Sequence, residues 1–334
     1  MSSFSLRILL ILFVALSLNV AVAQEEQETV VTGNYYRIHC HFKNEQIASE
    51  ALKTAEIVYP IVAKIFNAKT DKLNNPLEIH LYRTESDYRA IEKKITGGKF
   101  AENGCFSMPT TKTSHIALSP TCSDATLRAV GLPLLTRRLI AHEGCHLAQY
   151  AILPGGLECP DWFKEGLVMW MADLVIAKLG LNLPFEQDPE NSKSILDCQE
   201  LLENGSLPNT NMIIKDELGA VKDMHYFYKY GVWELFFHFL KEGKYSNSFE
   251  SIMRDVRRFG GGTNSYKNLI KHFEESFNKE IFKTLNKDFI DYLKSLKPEW
   301  RQEYRSLDTH GKEWIQIAFE DTNAVAFKTN PVGK

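Results

Sequence analysis

HEGCHLAQYAI, residues 142–152, closes a mostly helical pattern that begins near Asp124 in a chain of 334 residues. On an α-helix, residues four apart lie on nearly one face. His142 and His146 can therefore each aim an imidazole nitrogen at one cation about 2.0–2.1 Å away. Glu143 stands beside them, within reach of water at that cation. A catalytic zinc centre needs three protein ligands and an open position. How the chain folds thus turns on where a third ligand comes from.

The candidate lies in PDWFKEGLVMWM, residues 160–171. Eighteen residues separate His146 from Glu165. Pro154-Gly155-Gly156 and Pro160 fall between them and let the chain reverse. A Glu one turn into the returning helix then approaches both histidines. Its neighbours Trp162, Phe163, Leu167, Val168, Met169 and Trp170 are apolar, and a carboxylate among them is costly to bury without a cation. HExxH alone is moderately specific; the second motif at a workable distance is what favours a metal centre. Cys145 points to another side of the helix and reads as core or a disulfide partner. His39, His41, His80 and His115 lie in strand patterns and read as packed or surface groups.

Outward from the motif, the chain divides into two halves. Tyr35 to Phe42 alternates like a strand, and Pro76 to Tyr82 and Phe106 to Ser119 contain two more. Asn44 to Phe66 is a long amphipathic helix with Ile47, Ala51, Ala55, Val58, Val62 and Ile65 at helical spacing. Glu85 to Ile95 is a helix capped near Thr84. Asp161 to Leu179 is helical, with further helical patterns near 194–203, 223–241, 246–258 and 264–295. The expectation is an α+β fold: a small mixed sheet with helices over 35–153, then a mostly helical half over 154–310. Gln24 to Thr32 reads as a loose start. Residues 311–334 form a tail that can add a β-hairpin.

The first 23 residues have a positive start at Arg7, an apolar run from Ile8 to Leu18 and a small-residue cleavage site at Ala21-Val22-Ala23. That is the pattern of a secretory signal peptide, too short to span a bilayer. The expected location is secreted or periplasmic, with no stable membrane insertion after cleavage. Export lets disulfides persist. Among the six cysteines, Cys105 with Cys122 is the first expected pair and Cys159 with Cys198 the second. A net charge of -3 with no basic patch gives no case for nucleic acid. Gly260-Gly261-Gly262 lacks the Lys-Ser/Thr of a phosphate loop.

With HExxH-x18-E in place, the chain resembles the gluzincins, a clan of zinc metallopeptidases. Trp162-Phe163-Lys164-Glu165-Gly166 is similar to the W-x-x-E-G phrase of the alanyl-aminopeptidase-type family. YKYG, Tyr228 to Gly231, resembles the place where that family carries a tyrosine that donates to the transition state. The resemblance implies one Zn2+ held by His142, His146 and Glu165, Glu143 as general base, and Tyr228 as donor with Tyr230 as its fallback. It implies a peptide or protein substrate. The family's G-x-M-E-N strand, whose Glu holds the substrate's amino terminus, has no match at Ile116 to Pro120, so the aminopeptidase anchor is not implied. The order of strands and helices over most of 35–295 is similar to that of peptidase MA-like proteins, with a zincin-like fold. A strand edge around His115 to Ser119 is expected to seat an extended peptide. The alternative is a catalytically silent, peptidase-like binding protein of the cell envelope.

Overall fold

Alternation shapes the sheet. In YRIHC the side chains of Tyr36, Ile38 and Cys40 are buried while Arg37 and His39 face the other way, as a period of two requires. The computed structural model describes residues 28–100, 104–118, 127, 131–153, 159–215, 217–218, 226–259, 271, 275 and 279–298. Among them, the strands are β1 (Thr29–Thr32), β2 (Tyr36–Cys40), β3 (Leu77–Tyr82), β4 (Cys105–Met108) and β5 (Thr113–Ala117). They form one sheet in the order β1-β2-β3-β5-β4. The inner three run parallel, and β1 and β4 pair antiparallel with their neighbours.

Two expectations about this sheet are corrected. Thr29–Thr32 is a strand, not a loose start. Its sequence, TVVT, is β-branched throughout, which suits a pleated surface, and it pairs with β2 through Val30 opposite His39. The second concerns the edge. The strand around His115 is internal, because the hairpin back to Cys105–Met108 covers it. Among the described residues, the open edge on that side is β4.

Helix α1 (Glu45–Ile65) begins where the Asn44 side chain accepts the Ile47 N–H at 3.0 Å, one of the donors a helix start leaves unsatisfied. Its apolar series is buried against the inner sheet face. Helix α2 (Glu85–Thr96) is capped by Thr84 in the same way, at 3.1 Å to the Asp87 N–H. It lies on the outer face, over a small cluster of Tyr82, Tyr88, Phe106 and Ala117. The remaining helices are α3 (Leu134–Ile152), α4 (Asp161–Lys178), α5 (Pro189–Glu203), α6 (Thr210–Ile214), α7 (Tyr226–Glu242), α8 (Ser246–Phe259) and α9 (Lys279–Ser295). The protein is thus α+β, a small mixed sheet followed by a mostly helical remainder. One apolar core runs from Tyr36 and Ile38 through Val58, Leu147, Trp162 and Phe237 to Phe289, so the two halves share it.

No disulfide joins Cys159 to Cys198: Cys198 is a buried free thiol, and both residues sit in the core cluster, where cysteine packs as a small hydrophobe. Cys105 is also a free thiol; its expected partner Cys122 lies outside the described residues, as do the signal-like segment, the Gly260 run and the tail at 311–334. Among the described residues, no helix is long and apolar enough to cross a membrane.

Candidate metal centre

Helix α3 carries HEGCH, and its placement is controlled from α1 and β2. Pro133 gives the helix start no side-chain cap. Glu50 of α1 anchors the segment just before it instead, accepting the Leu132 N–H at 2.7 Å and pairing with Arg137 in the first turn. Further along, the Tyr36 hydroxyl of β2 donates to the Gly144 carbonyl at 2.8 Å. Arg138, one turn before His142, pairs with Asp173 of α4 at 2.6 Å and with Asp188. That bridge clamps α3 to α4. Helix α4 in turn packs tightly on α7, because a Cβ on Gly166 would lie only 2.6 Å from the Cβ of Phe237. The glycine after Glu165 is required by this close approach.

These constraints bring three side chains together. His142 Nε2 and His146 Nε2 are 3.2 Å apart. Glu165 Oε2 is 3.4 Å from the first and 3.3 Å from the second. An ion holding tetrahedral ligands at about 2.0–2.1 Å has ligand-to-ligand edges of about 3.3–3.4 Å. The triangle therefore has the dimensions of three corners of such a site, and the group can hold a metal ion. His146 and Glu165 are buried, and His142 is more accessible.

The charges agree with the geometry. Burial pushes the Glu165 carboxyl up, but His146 and His142 outweigh it and hold the group well below the usual carboxylate range. Burial opposes charge on His142, while the hydrogen bond to Glu165 and the fields of Glu143, Glu165 and Glu234 raise its pKa overall. A buried carboxylate thus stays ionised beside two imidazoles, which is the charge pattern a divalent cation completes.

Glu143 is buried next to the triangle and is engaged elsewhere. Its Oε2 accepts from the Ser107 hydroxyl of β4, which lies 2.5 Å from the Ser114 hydroxyl of β5. Cys105, on the same strand, is pushed well above the usual thiol range by burial and then by Glu143, so it is a neutral thiol facing the carboxylate. Neither Ser107 nor Cys105 was among the candidates read from the sequence. Ser107 is 36 residues from Glu143, and only the pairing of β4 with β5 brings it there.

A cavity of about 530 Å³ opens over these groups. Its wall includes the three triangle residues, Glu143, Cys105 and Ser107, together with Tyr150 of α3 and Tyr230, Trp233 and Glu234 of α7. Tyr228 is not on that wall. Two positions along a helix differ by about 200° in direction, so α7 can present only one of the two tyrosines, and it presents Tyr230. No protein-family model matches the chain, and no curated protein matches it.

Proposed function

We propose that this chain is an exported zinc metallopeptidase of gluzincin type, hydrolysing peptide bonds of a peptide or protein substrate. The observation that carries this reading is the 3.2–3.4 Å triangle of His142, His146 and Glu165 with Glu143 beside it in an open cavity. His142, His146 and Glu165 would hold the ion. A nitrogen-rich set with one carboxylate suits zinc better than magnesium or calcium. When bound, zinc supplies Lewis acidity, acidifying water and polarising a carbonyl.

The chain's own groups do the rest. Glu143 takes a proton from the attacking water and returns it to the leaving amine. Ser107, donating to one oxygen of Glu143, orients the carboxylate. Tyr230 replaces Tyr228 as the donor to the developing oxyanion, because it lines the cavity. The substrate backbone pairs with β4. The Ala117 N–H donates to the Gly104 carbonyl at 2.8 Å, and the antiparallel alternation then turns the backbone groups of Cys105 and Ser107 toward the open edge. β4 reads CFSM and carries no carboxylate, so it offers no anchor for a substrate's amino terminus. The export pattern in residues 1–23 supports a secreted or periplasmic setting.

Metal analysis of the purified protein, coupled to cleavage-site mapping on a peptide mixture with and without chelator, tests this. One zinc per chain and chelator-sensitive cleavage are expected. A zinc-loaded chain that cleaves nothing overturns the reading in favour of a silent binding protein.

A further inference from the structure

Four of the ten histidines in the chain gather on the outer face of the sheet, away from HEGCH. Strand register puts His39 opposite His80 and His80 opposite His115. The rings stack, with centroids 4.5 Å apart for His39 and His80 and 4.8 Å for His80 and His115. His41 follows two residues after His39, on the same face. Its Nε2 is 3.0 Å from His80 Nδ1.

Two carboxylates flank this row. Glu28 Oε1 is 3.0 Å from His39 Nδ1 and 3.8 Å from His41 Nδ1. Glu78 lies 3.9 Å from His39 Nε2 and 4.0 Å from His80 Nε2. Helix α2 covers only part of the face. His115 is buried under that part, 2.8 Å from the Tyr82 hydroxyl. His39, His41 and His80 lie beyond it and are partly exposed, so an ion from solvent can reach them.

Ordinary packing does not account for this row. Stacked imidazoles add polar atoms that an apolar ladder would lack, and the Nδ1 atoms of His39 and His41 both turn toward the one Glu28 carboxylate. We propose that Glu28, His39 and His80, with His41 as a further donor, form a second site for a divalent transition-metal ion of the zinc class. One donor atom from each of the first three lies within 4.8 Å of the others. The tetrahedral edge is about 3.3–3.4 Å. The Glu28–His39 edge, 3.0 Å at Nδ1, is already shorter than that; the His39 and His80 rings stack 15° from parallel, and turning the partly exposed His80 ring out of the stack aims its nitrogen at the same ion. Imidazole-rich donors select zinc, nickel or copper over magnesium and calcium. Glu28 immediately precedes β1, so an ion here ties the outermost strand to β2 and β3. The group Asp173, Glu234 and His238, of which the last two are buried, is a weaker candidate, because Arg138 already supplies the positive charge at Asp173.

The test uses the full chain carrying His142→Ala and His146→Ala, which dismantles the HEGCH site, so this proposal stands or falls apart from the peptidase reading. Calorimetric titration with zinc chloride should show one equivalent bound, and the melting temperature should rise with zinc but not with magnesium. Adding His39→Asn and His80→Asn should abolish both effects while the metal-free far-UV spectrum stays unchanged. Glu28→Gln, a milder change at an exposed carboxylate, should weaken zinc binding at least tenfold. The proposal is overturned if the first variant binds no zinc, or if either further change leaves its zinc affinity as it was.

Discussion

Glu165 Oε2 lies 3.3 Å from His146 Nε2, although the two residues stand on different helices with eighteen residues between them. The approach exists because Arg138 bridges α3 to Asp173 of α4 and because Gly166 lets α4 close on α7. Removing the Glu165 carboxylate while keeping the helices should therefore isolate its role as a ligand. Glu165→Ala should weaken zinc binding by more than about 100-fold, since even groups behind the ligands are worth about 10–100-fold. Competition against a chromophoric chelator measures this, and unchanged affinity removes Glu165 from the ligand set.

Glu143 is adjacent to the triangle but bonded to Ser107. Glu143→Gln should keep the zinc and lower kcat by about 10²–10⁴-fold, the range of general acid–base catalysis. Ser107→Ala should lower it by less, about tenfold, by the loss of one hydrogen bond to a charged group. Full activity in Glu143→Gln would remove it as the base.

The two tyrosines of YKYG are separable by direction. Tyr230→Phe should reduce kcat by about 10²-fold with KM little changed, as expected for one lost donor to an oxyanion. Tyr228→Phe should leave both constants near wild type. Steady-state kinetics on any peptide cleaved by the wild-type chain decides between them.

Gly166 should not tolerate a side chain. A Cβ there would meet Phe237 at 2.6 Å, and the ring is fully buried. Gly166→Ala should destabilise the fold by about 1–3 kcal/mol, the usual range for overpacking, and should weaken zinc binding by displacing Glu165. A thermal melt that matches wild type would show that α4 and α7 can separate without loss.

Stability should fall at alkaline pH through α7. Burial opposes charge on His238, but the carboxylates of Asp173 and Glu242, 3.7 and 3.4 Å from its ring nitrogens, and the field of Glu234 push its pKa up from 6.5 to about 9. The folded state therefore holds this proton more tightly than the unfolded one. Its contribution is fully present below about pH 6.5 and is lost as pH rises through about 9. Burial, then Asp173, raise Glu234 from 4.5 to about 7, which acts in the same sense over a more acidic window. Urea melts should show a loss on the order of 1–3 kcal/mol between pH 6 and pH 9.5, and His238→Gln should flatten the upper part of that slope.

Much of the architecture was readable from local signals. The apolar series from Ile47 to Ile65 and the cap at Thr84 are short-range patterns, and they mark α1 and α2 within a residue or so. TVVT at Thr29–Thr32 was missed because polar neighbours hid a four-residue strand. The edge was misassigned because Phe106 to Ser119 was read as holding one strand, and the second strand, CFSM, that covers it depends on the hairpin between the two. The pairing of Cys159 with Cys198 was a guess from export alone, and spacing carries no information about how two thiols pack.

By itself, the sequence determined the candidate donor set and its local geometry: two imidazoles one helical turn apart, a carboxylate between them and another at the start of the next helix. Those follow from a period of 3.6 residues and need no neighbours. Only the tertiary structure decided that the donors meet at 3.2–3.4 Å, that Tyr230 rather than Tyr228 lines the cavity, and that four histidines align on the far side of the sheet. Each of these depends on contacts between segments distant along the chain, set by close packing at Gly166, the Arg138 bridge and strand register, which no local pattern encodes.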